Sequence, residues 1–232
     1  MIVIKYRLME WFKLSLLFLL ISSIFLLSSC QKEGNESPGL RLEFAINKDV
    51  VDYRGPGDLQ FTDGFITITE VVFDGDLIGG ESTSITHSKV VVYDFGTGES
   101  SPAENVIDLP PGTYNDIYLG VELLDENDDP SLVLEGTYEK ESDGQVYPIR
   151  FEFNSGEVFE AEAAKGTIPP NTPAIAKVTF DPHAWFSQVS FNRLENAKVN
   201  NQGVIVISEE NNEGIFDLVA DGLDRATEAV FQ

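Results

Sequence analysis

Alternation of apolar and polar residues is the feature of this 232-residue chain that most constrains its fold. Leu42, Phe44 and Ile46 alternate with more polar neighbours, and residues 65–73 are almost entirely β-branched or aromatic. A period of two in such residues indicates β-strands. Further runs of this kind occupy residues 89–95, 113–124, 132–138, 146–153, 157–163, 174–180 and 203–208.

Turn signals separate several of these runs. Asp74-Gly75, Asp143-Gly144 and Ser155-Gly156 predict turns, and Leu109-Pro110-Pro111-Gly112 predicts a turn that leads into a long strand. About nine short strands with frequent turns are typical of sandwiches and barrels. We therefore expect an all-β fold, a two-sheet antiparallel sandwich. No G-x-G-x-x-G motif and no β-α alternation points to a nucleotide-binding fold.

Two segments have helical signals. Asp181 followed by Pro182 is typical of a helix start, with an N-cap residue and proline at the first helical position. Apolar residues from Ile215 to Val230 recur at helical spacing, which predicts a C-terminal amphipathic helix at about 212–230, its apolar face on the sandwich. The polar residues 82–88, which include His87, are predicted to form a loop.

The N-terminal segment has the three parts of a secretory signal. Basic residues Lys5, Arg7 and Lys13 precede an apolar run at 14–27, which small residues follow. The run is shorter than the roughly 20 residues that a membrane-spanning helix needs. Leu27-Ser28-Ser29-Cys30 resembles the lipobox of bacterial lipoproteins, which implies acylation of Cys30 and cleavage before it. We expect a signal peptide at 1–29, a lipidated tether at 30–39 and one β-sandwich domain at 40–232.

The chain also resembles lipoproteins of Gram-negative bacteria that carry an Ig-like or prealbumin-like sandwich. Besides the lipobox, the resemblance rests on the turn at 107–114 and the stretch at 180–186. It implies a non-enzymatic binding or structural role at the outer membrane, on its periplasmic or its outer surface. Two alternatives stay open: a fimbrillin-like surface fibre or adhesin subunit, and a carbohydrate-active accessory protein or hydrolase with paired carboxylates.

The charge of the mature chain excludes one class of partner. Of 15 Lys and Arg and 39 Asp and Glu, three and one lie in 1–29, which leaves 12 and 38 and a net charge of −26. Nucleic acid binding needs clustered basic residues, so we expect no nucleic acid partner. The expected partners are the membrane, through the lipid at Cys30, and a glycan or protein at the cell surface.

Catalytic motifs are absent from the sequence. The two histidines, His87 and His183, lie about a hundred residues apart, and neither G-x-S-x-G nor H-E-x-x-H occurs. Cys30 is the single cysteine, so the domain has no disulfide. We therefore expect a protein that is not an enzyme and that holds no cofactor.

One calcium-binding pattern qualifies that expectation. Asp125, Asn127 and Asp129 stand at alternate positions, as oxygen ligands do in a calcium loop, but Pro130 replaces the glycine of the EF-hand and Gly136 stands where its bidentate acid would be. The alternative is a solvated acidic turn between two strands.

Five aromatic residues allow two interpretations. They form a sugar-stacking platform if they share one surface, and core or sheet-face packing otherwise. These residues are Tyr114, Tyr118, Tyr138, Tyr147 and Trp185.

Overall fold

Strands carry most of the chain in the computed structural model, which describes residues 37–51, 58–103 and 106–223 and the backbone of 227–231. In chain order the strands are β1 Gly39–Ile46, β2 Leu59–Leu77, β3 Ser82–Asp94, β4 Ser100–Ser101, β5 Val106–Asp108, β6 Gly112–Leu123, β7 Leu132–Lys140, β8 Gln145–Phe153, β9 Val158–Ile168, β10 Pro173–Phe180, β11 Ile205–Ile207 and β12 Thr227–Phe231.

Helices are short and follow the tenth strand. They are α1 Pro182–Trp185, a 3₁₀ turn at Phe186–Gln188, α2 Phe191–Glu195 and α3 Glu213–Ala220. Asp181 caps α1, because its side chain accepts a hydrogen bond from the backbone N–H of His183 and Pro182 opens the helix, as predicted. None of the described helices is long and apolar enough to cross a membrane.

Two sheets form the sandwich. The smaller has the strand order β12-β10-β1-β5, and the larger runs β11-β8-β7-β2-β3-β4, with β6 and β9 added beside β2. Most pairs are antiparallel, and the all-β sandwich is confirmed. Two pairs are parallel, β1 with β10 and β8 with β11, which alternation within a single strand does not reveal. The arrangement is compatible with an Ig-like sandwich.

The long strand β2 joins the two parts of the larger sheet. One of its edges pairs with β3, and the other pairs first with β7, through residues 59–66, and then with β6, through residues 68–77. Thr67 lies where the two partners diverge. Its N–H donates to the Ser131 carbonyl at 2.7 Å, and its carbonyl accepts from the Leu124 N–H at 3.0 Å. The backbone of Thr67 therefore fixes both ends of the β6–β7 connection.

Aromatic rings fill the interior. Phe180 packs against Phe44, Phe159 and Trp185 with centroid distances of 6.0, 4.8 and 5.6 Å. Under the helices, Phe186 contacts Phe61 at 5.1 Å. Burial of rings this large supplies much of the hydrophobic stabilisation of the domain, which has no disulfide among its described residues.

Each of the nine predicted strand segments lies in or overlaps an observed strand. The Asp74-Gly75 turn is wrong, because both residues lie inside β2 and the chain reverses at 78–80. Gly75 is buried there, and a Cβ on it would lie 3.1 Å from a Tyr114 ring carbon and 3.2 Å from a Phe73 ring carbon. The glycine is explained by close packing of aromatic rings. At Asp143-Gly144 the turn is confirmed, with Gly144 at φ 65°.

The predicted loop at 82–88 is also wrong. These residues begin β3 and pair with residues 70–76 of β2. In this segment Ile85 and His87 alternate with serine and threonine residues. Pairing with β2 orders the polar segment as a strand. His87 is therefore a strand residue.

The C-terminal helix is confirmed only in its first part. It runs from Glu213 to Ala220, and the chain returns to β-structure as β12, which pairs with β10. The prediction of a helix as far as 230 is wrong, because sheet pairing outweighs the helical spacing of the apolar residues. Gly222 packs against the backbone of Trp185, where a Cβ would lie 2.8 Å from the Trp185 carbonyl oxygen, so the helix ends at a close contact.

The Leu-Pro-Pro-Gly-Thr-Tyr segment has a structural role. Tyr114 is fully buried in β6, and its hydroxyl donates to the Pro110 carbonyl at 2.8 Å. A tyrosine that bonds back to the backbone a few residues upstream is also found at the corner of Ig sandwiches. The bond satisfies the buried hydroxyl and fixes the path of the chain into β6.

The buried end of the helical segment gives a stability prediction. We expect Leu223→Ala to lower the free energy of unfolding by about 2–4 kcal/mol, because it leaves a cavity where the side chain is 1% exposed. Urea denaturation of residues 31–232, followed by Trp185 fluorescence, measures the loss. Asp217→Ala, at an exposed position of α3, is the control, with an expected change below about 0.5 kcal/mol. Equal small effects would show that Leu223 is not part of the core.

Candidate functional site

An acidic surface covers the outer face of three neighbouring strands, β9, β6 and β2, and β3 borders it. The pairings of β9, β6, β2 and β3 align side chains across the sheet, and six carboxylates occupy the outward positions. Among the described residues at these register positions, the basic side chain is Lys165, opposite Asn115 at one end. We call this surface the acidic face; its carboxylates belong to Glu70, Asp74, Asp76, Glu122, Glu160 and Glu162.

Like charges are adjacent on the acidic face. Glu70 and Glu122 are directly opposite one another on β2 and β6. Like charges in such cross-strand pairs destabilise a sheet. The fold therefore carries a destabilising pair on this surface, and its carboxylates are available to cationic groups in solution.

Tyr118 lies in the centre of the acidic face. Its hydroxyl donates to Glu160 Oε1 at 2.8 Å. Burial raises the pKa of Tyr118, and the Glu160 hydrogen bond and the charges of Glu160, Asp74 and Glu162 raise it further. The phenol stays neutral, so it adds no charge and serves as a hydrogen-bond donor among carboxylates.

Short hydroxyl side chains border the acidic face along β3. Ser82 Oγ donates to Asp76 Oδ1 at 2.5 Å, and Ser88 Oγ donates to Glu70 Oε2 at 2.8 Å. Sequence analysis did not identify this surface. A signal was present, since the acids at 70, 74 and 76, and those at 160 and 162, are spaced so that each set lies on one face of its strand. The register that joins the strands, however, is not visible in the sequence.

The predicted calcium residues lie in the connection between β6 and β7. Asp125, Asn127 and Asp129 are all exposed, and Asn127 has a positive φ of 65°. The Asn127 carbonyl accepts a hydrogen bond from Asn154 Nδ2 at 2.9 Å. The structure keeps the three residues in one turn but shows them on the surface, close to the backbone bonds that Thr67 makes.

Metal-ligating side chains do not converge in the part of the chain that the structure describes. No group of three or more His, Cys, Asp or Glu residues there is arranged to hold a metal ion. The turn at 125–129 contributes two acids and one amide, and whether it binds calcium stays a prediction.

The aromatic platform is not formed by the five residues together. Tyr114, Tyr138 and Trp185 are fully buried, whereas Tyr118 and Tyr147 are partly exposed. Three of the rings belong to the core, and the interpretation as a shared sugar-stacking surface is wrong for this set. His183 likewise has a structural contact, since its Nε2 lies 3.1 Å from the Asp49 carbonyl oxygen.

A buried polar cluster at the end of the β7–β8 hairpin has a structural explanation. Lys140, 8% exposed, donates from Nζ to the carbonyls of Glu195 and Ala197 at 3.1 and 2.8 Å. The Glu195 carboxylate accepts from Tyr138 Oη at 2.8 Å and from the backbone N–H groups of Glu141 and Ser142. The carboxylate at the end of α2 thus holds the hairpin turn against the helix.

Ionisation of Glu195 depends on these bonds. Burial opposes the charged form, but the hydrogen bonds from Tyr138, Glu141 and Ser142 outweigh it and hold the pKa of Glu195 below its ordinary value. Tyr138 is affected in the opposite direction, because burial and the bond to Glu195 raise its pKa. Together these groups form a charged clamp between the hairpin turn and the end of α2.

Comparisons of the chain with protein-family models, curated proteins and solved structures find no match. The predicted lipidation residue Cys30 and the rest of segment 1–36 lie outside the described residues. Functional assignment therefore rests on the sequence signal at Cys30 and on the surface chemistry of the sandwich.

The calcium turn can be tested by thermal denaturation. We expect millimolar calcium to leave the difference in Tm between wild type and the double variant Asp125→Asn, Asp129→Asn unchanged, because the exposed turn lacks the glycine and the bidentate acid of a calcium loop. A ligand that binds the native state would raise Tm by mass action. A calcium-dependent rise in wild type that the double variant loses would establish a calcium site.

The clamp gives a pH prediction. Glu195 has a lower pKa folded than unfolded, so its contribution to stability is complete above its unfolded pKa and is lost as pH falls through its folded pKa. We expect Glu195→Gln to cost about 1–2 kcal/mol at pH 7, and the difference from wild type to shrink below about pH 4.3. Urea titrations at several pH values measure it. A difference that stays constant between neutral and acid pH would mean that the charge of Glu195 does not contribute.

Proposed function

We propose that the protein is a non-enzymatic lipoprotein of the bacterial cell envelope, anchored in the outer membrane by acyl chains on Cys30, with a binding role carried by its sandwich domain. The observation that carries the proposal is the run Leu27-Ser28-Ser29-Cys30, which closes an apolar segment. The segment is too short to span a bilayer comfortably, so acyl chains supply the attachment.

The short length of chain between Cys30 and the sandwich supports a role near the membrane. Strand β1 begins at Gly39, nine residues after Cys30. Nine residues extend at most roughly 30 Å. The domain thus stays near the bilayer, and its acidity keeps it from adhering to anionic lipid headgroups.

The acidic face supports binding over catalysis. Its carboxylates lie on an open sheet surface, where an added cationic partner relieves their mutual repulsion. The conspicuous polar cluster with shifted pKa values, around Glu195, is engaged in holding the β7–β8 hairpin. A binding role therefore uses surface groups that the fold leaves available.

The anchor is tested by substitution of the lipidated residue. We expect Cys30→Ser to abolish fatty-acid incorporation and to move the protein from the detergent phase to the aqueous phase, because serine has no thiol to receive a diacylglyceryl group. Metabolic labelling with a radioactive fatty acid and detergent phase partitioning measure both effects.

A matched control separates acylation from general effects on export. Ser28→Ala keeps Cys30 and the small-residue character before the cut, so labelling and partitioning should remain as in wild type. Identical partitioning of wild type and Cys30→Ser, in either phase, would contradict the lipoprotein assignment.

A further inference from the structure

The outer edge of β3 has no described strand beside it over most of its length. β3 pairs with β2 along one edge, whereas on the other edge only Val92 and Tyr93 pair, with Ser101 and Ser100 of β4. Among the described residues, 82–86 and 88–90 therefore lie at the border of the larger sheet. Such an edge is a template for the addition of another strand.

Natural sheets protect such edges with charged side chains, proline, bulges or very short edge strands. Residues 82–88 contain no proline and no charged Asp, Glu, Lys or Arg side chain. The strand is 13 residues long, and its register with β2 is regular from Ser82 to Ser88. Lys89 and the register shift follow only at the end of this segment.

Charge distribution across β2 and β3 selects the kind of strand that fits. Between Ser82 and Ser88, the outward positions of β3 hold only short, neutral side chains, Ser82, Ser84, Thr86 and Ser88. Directly behind them, β2 presents Asp76, Asp74 and Glu70. In a chain with 39 acidic residues, residues 82–93 contain none. The edge is thus a neutral rim in front of a row of carboxylates.

Sheet geometry brings a cationic side chain within range of these acids. Adjacent strands lie about 4.8 Å apart, so an added strand lies roughly 10 Å from the backbone of β2. A lysine or arginine on its outward face extends across the short side chains of β3 towards Asp74 and Asp76. The separation then falls within the Debye length of about 8 Å, and the attraction survives physiological salt.

We propose that the outer edge of β3 binds an extended peptide segment of a partner protein that carries lysine or arginine at alternate positions. The segment adds as a strand, and its cationic side chains lie over β3 and meet the carboxylates of the acidic face. A second copy of this chain fits less well, because its own edge offers only Lys89 and the net charge of −26 on the mature chain adds repulsion. The proposal deepens the proposed binding role by naming the chemistry of the partner.

Binding is measured with synthetic peptides and the full-length protein in a non-ionic detergent. The probe is a fluorescent nine-residue peptide with lysine at alternate positions and valine or threonine between them. One control peptide replaces every lysine by glutamate, and another places proline at the central position, which prevents strand pairing. Fluorescence anisotropy reports affinity, and hydrogen exchange reports protection of the β3 amides.

Matched variants separate the acidic row from net charge. Asp74→Asn with Asp76→Asn removes two charges behind the edge, whereas Glu209→Gln with Glu210→Gln removes two exposed charges elsewhere. We expect the first pair to weaken binding of the lysine peptide at least tenfold and the second pair less than twofold. Thr86→Lys, which adds a cation on the edge itself, should also weaken binding.

The outcomes are decisive in both directions. Binding of the lysine peptide alone, with new protection of β3 amides and the expected order of variants, supports the proposal. Equal binding of the lysine and glutamate peptides, equal effects of the two variant pairs, or protection of β3 by self-association without peptide would overturn it. Fatty-acid labelling of Cys30 is independent of these readouts, so failure here leaves the anchor assignment standing.

Discussion

The backbone of Thr67 is the point on which the larger sheet depends. Its N–H and carbonyl bond Ser131 and Leu124, the two ends of the β6–β7 connection. These bonds let β2 pair with β7 over one half and with β6 over the other, while β3 covers the opposite edge. A buried backbone group that lacks a hydrogen-bond partner costs free energy. These two hydrogen bonds therefore fix the point at which β6 and β7 diverge.

This arrangement also determines which surfaces remain available. β8 packs under Phe186 and Phe216 of the helical segment, as the ring contacts of Phe151 with both at 6.0 Å show. β6 and β9 leave their outer face uncovered by any described helix, and there the carboxylates collect. β3 closes the sheet with a neutral edge. The same strand, β2, thus joins the β7–β8 pair and the β6–β9 pair along one of its edges.

The sequence predicted the strands well because alternation and β-branched composition are local signals. The predictions were wrong where packing or strand pairing outweighed a local sequence signal. Gly75 is required by the rings of Phe73 and Tyr114, although Asp-Gly is usually a turn signal. Residues 82–88 have the polar composition of a loop. Their pairing with β2, which orders them as a strand, is not visible in their own sequence. Apolar residues beyond Ala220 had helical spacing, but pairing of β12 with β10 outweighs that local preference.

The candidate surface was harder to predict than the fold. Each carboxylate of the acidic face looks like an ordinary solvated acid in the sequence, and only the register of β9, β6 and β2 brings the six together. The calcium pattern at 125–129 was visible because its residues are adjacent in the chain. Contacts between strands distant in sequence therefore define the surface, and a single sequence contains no direct record of them.

Native-state hydrogen exchange tests the central claim, that β2 makes both parts of the larger sheet one cooperative unit. The account predicts that amides of β2 between Ile66 and Phe73, together with those of β6 and β7 bonded to them, exchange only through global unfolding and with one common free energy. Two distinct free energies, one for β7 and β8 and another for β6 and β9, would contradict it.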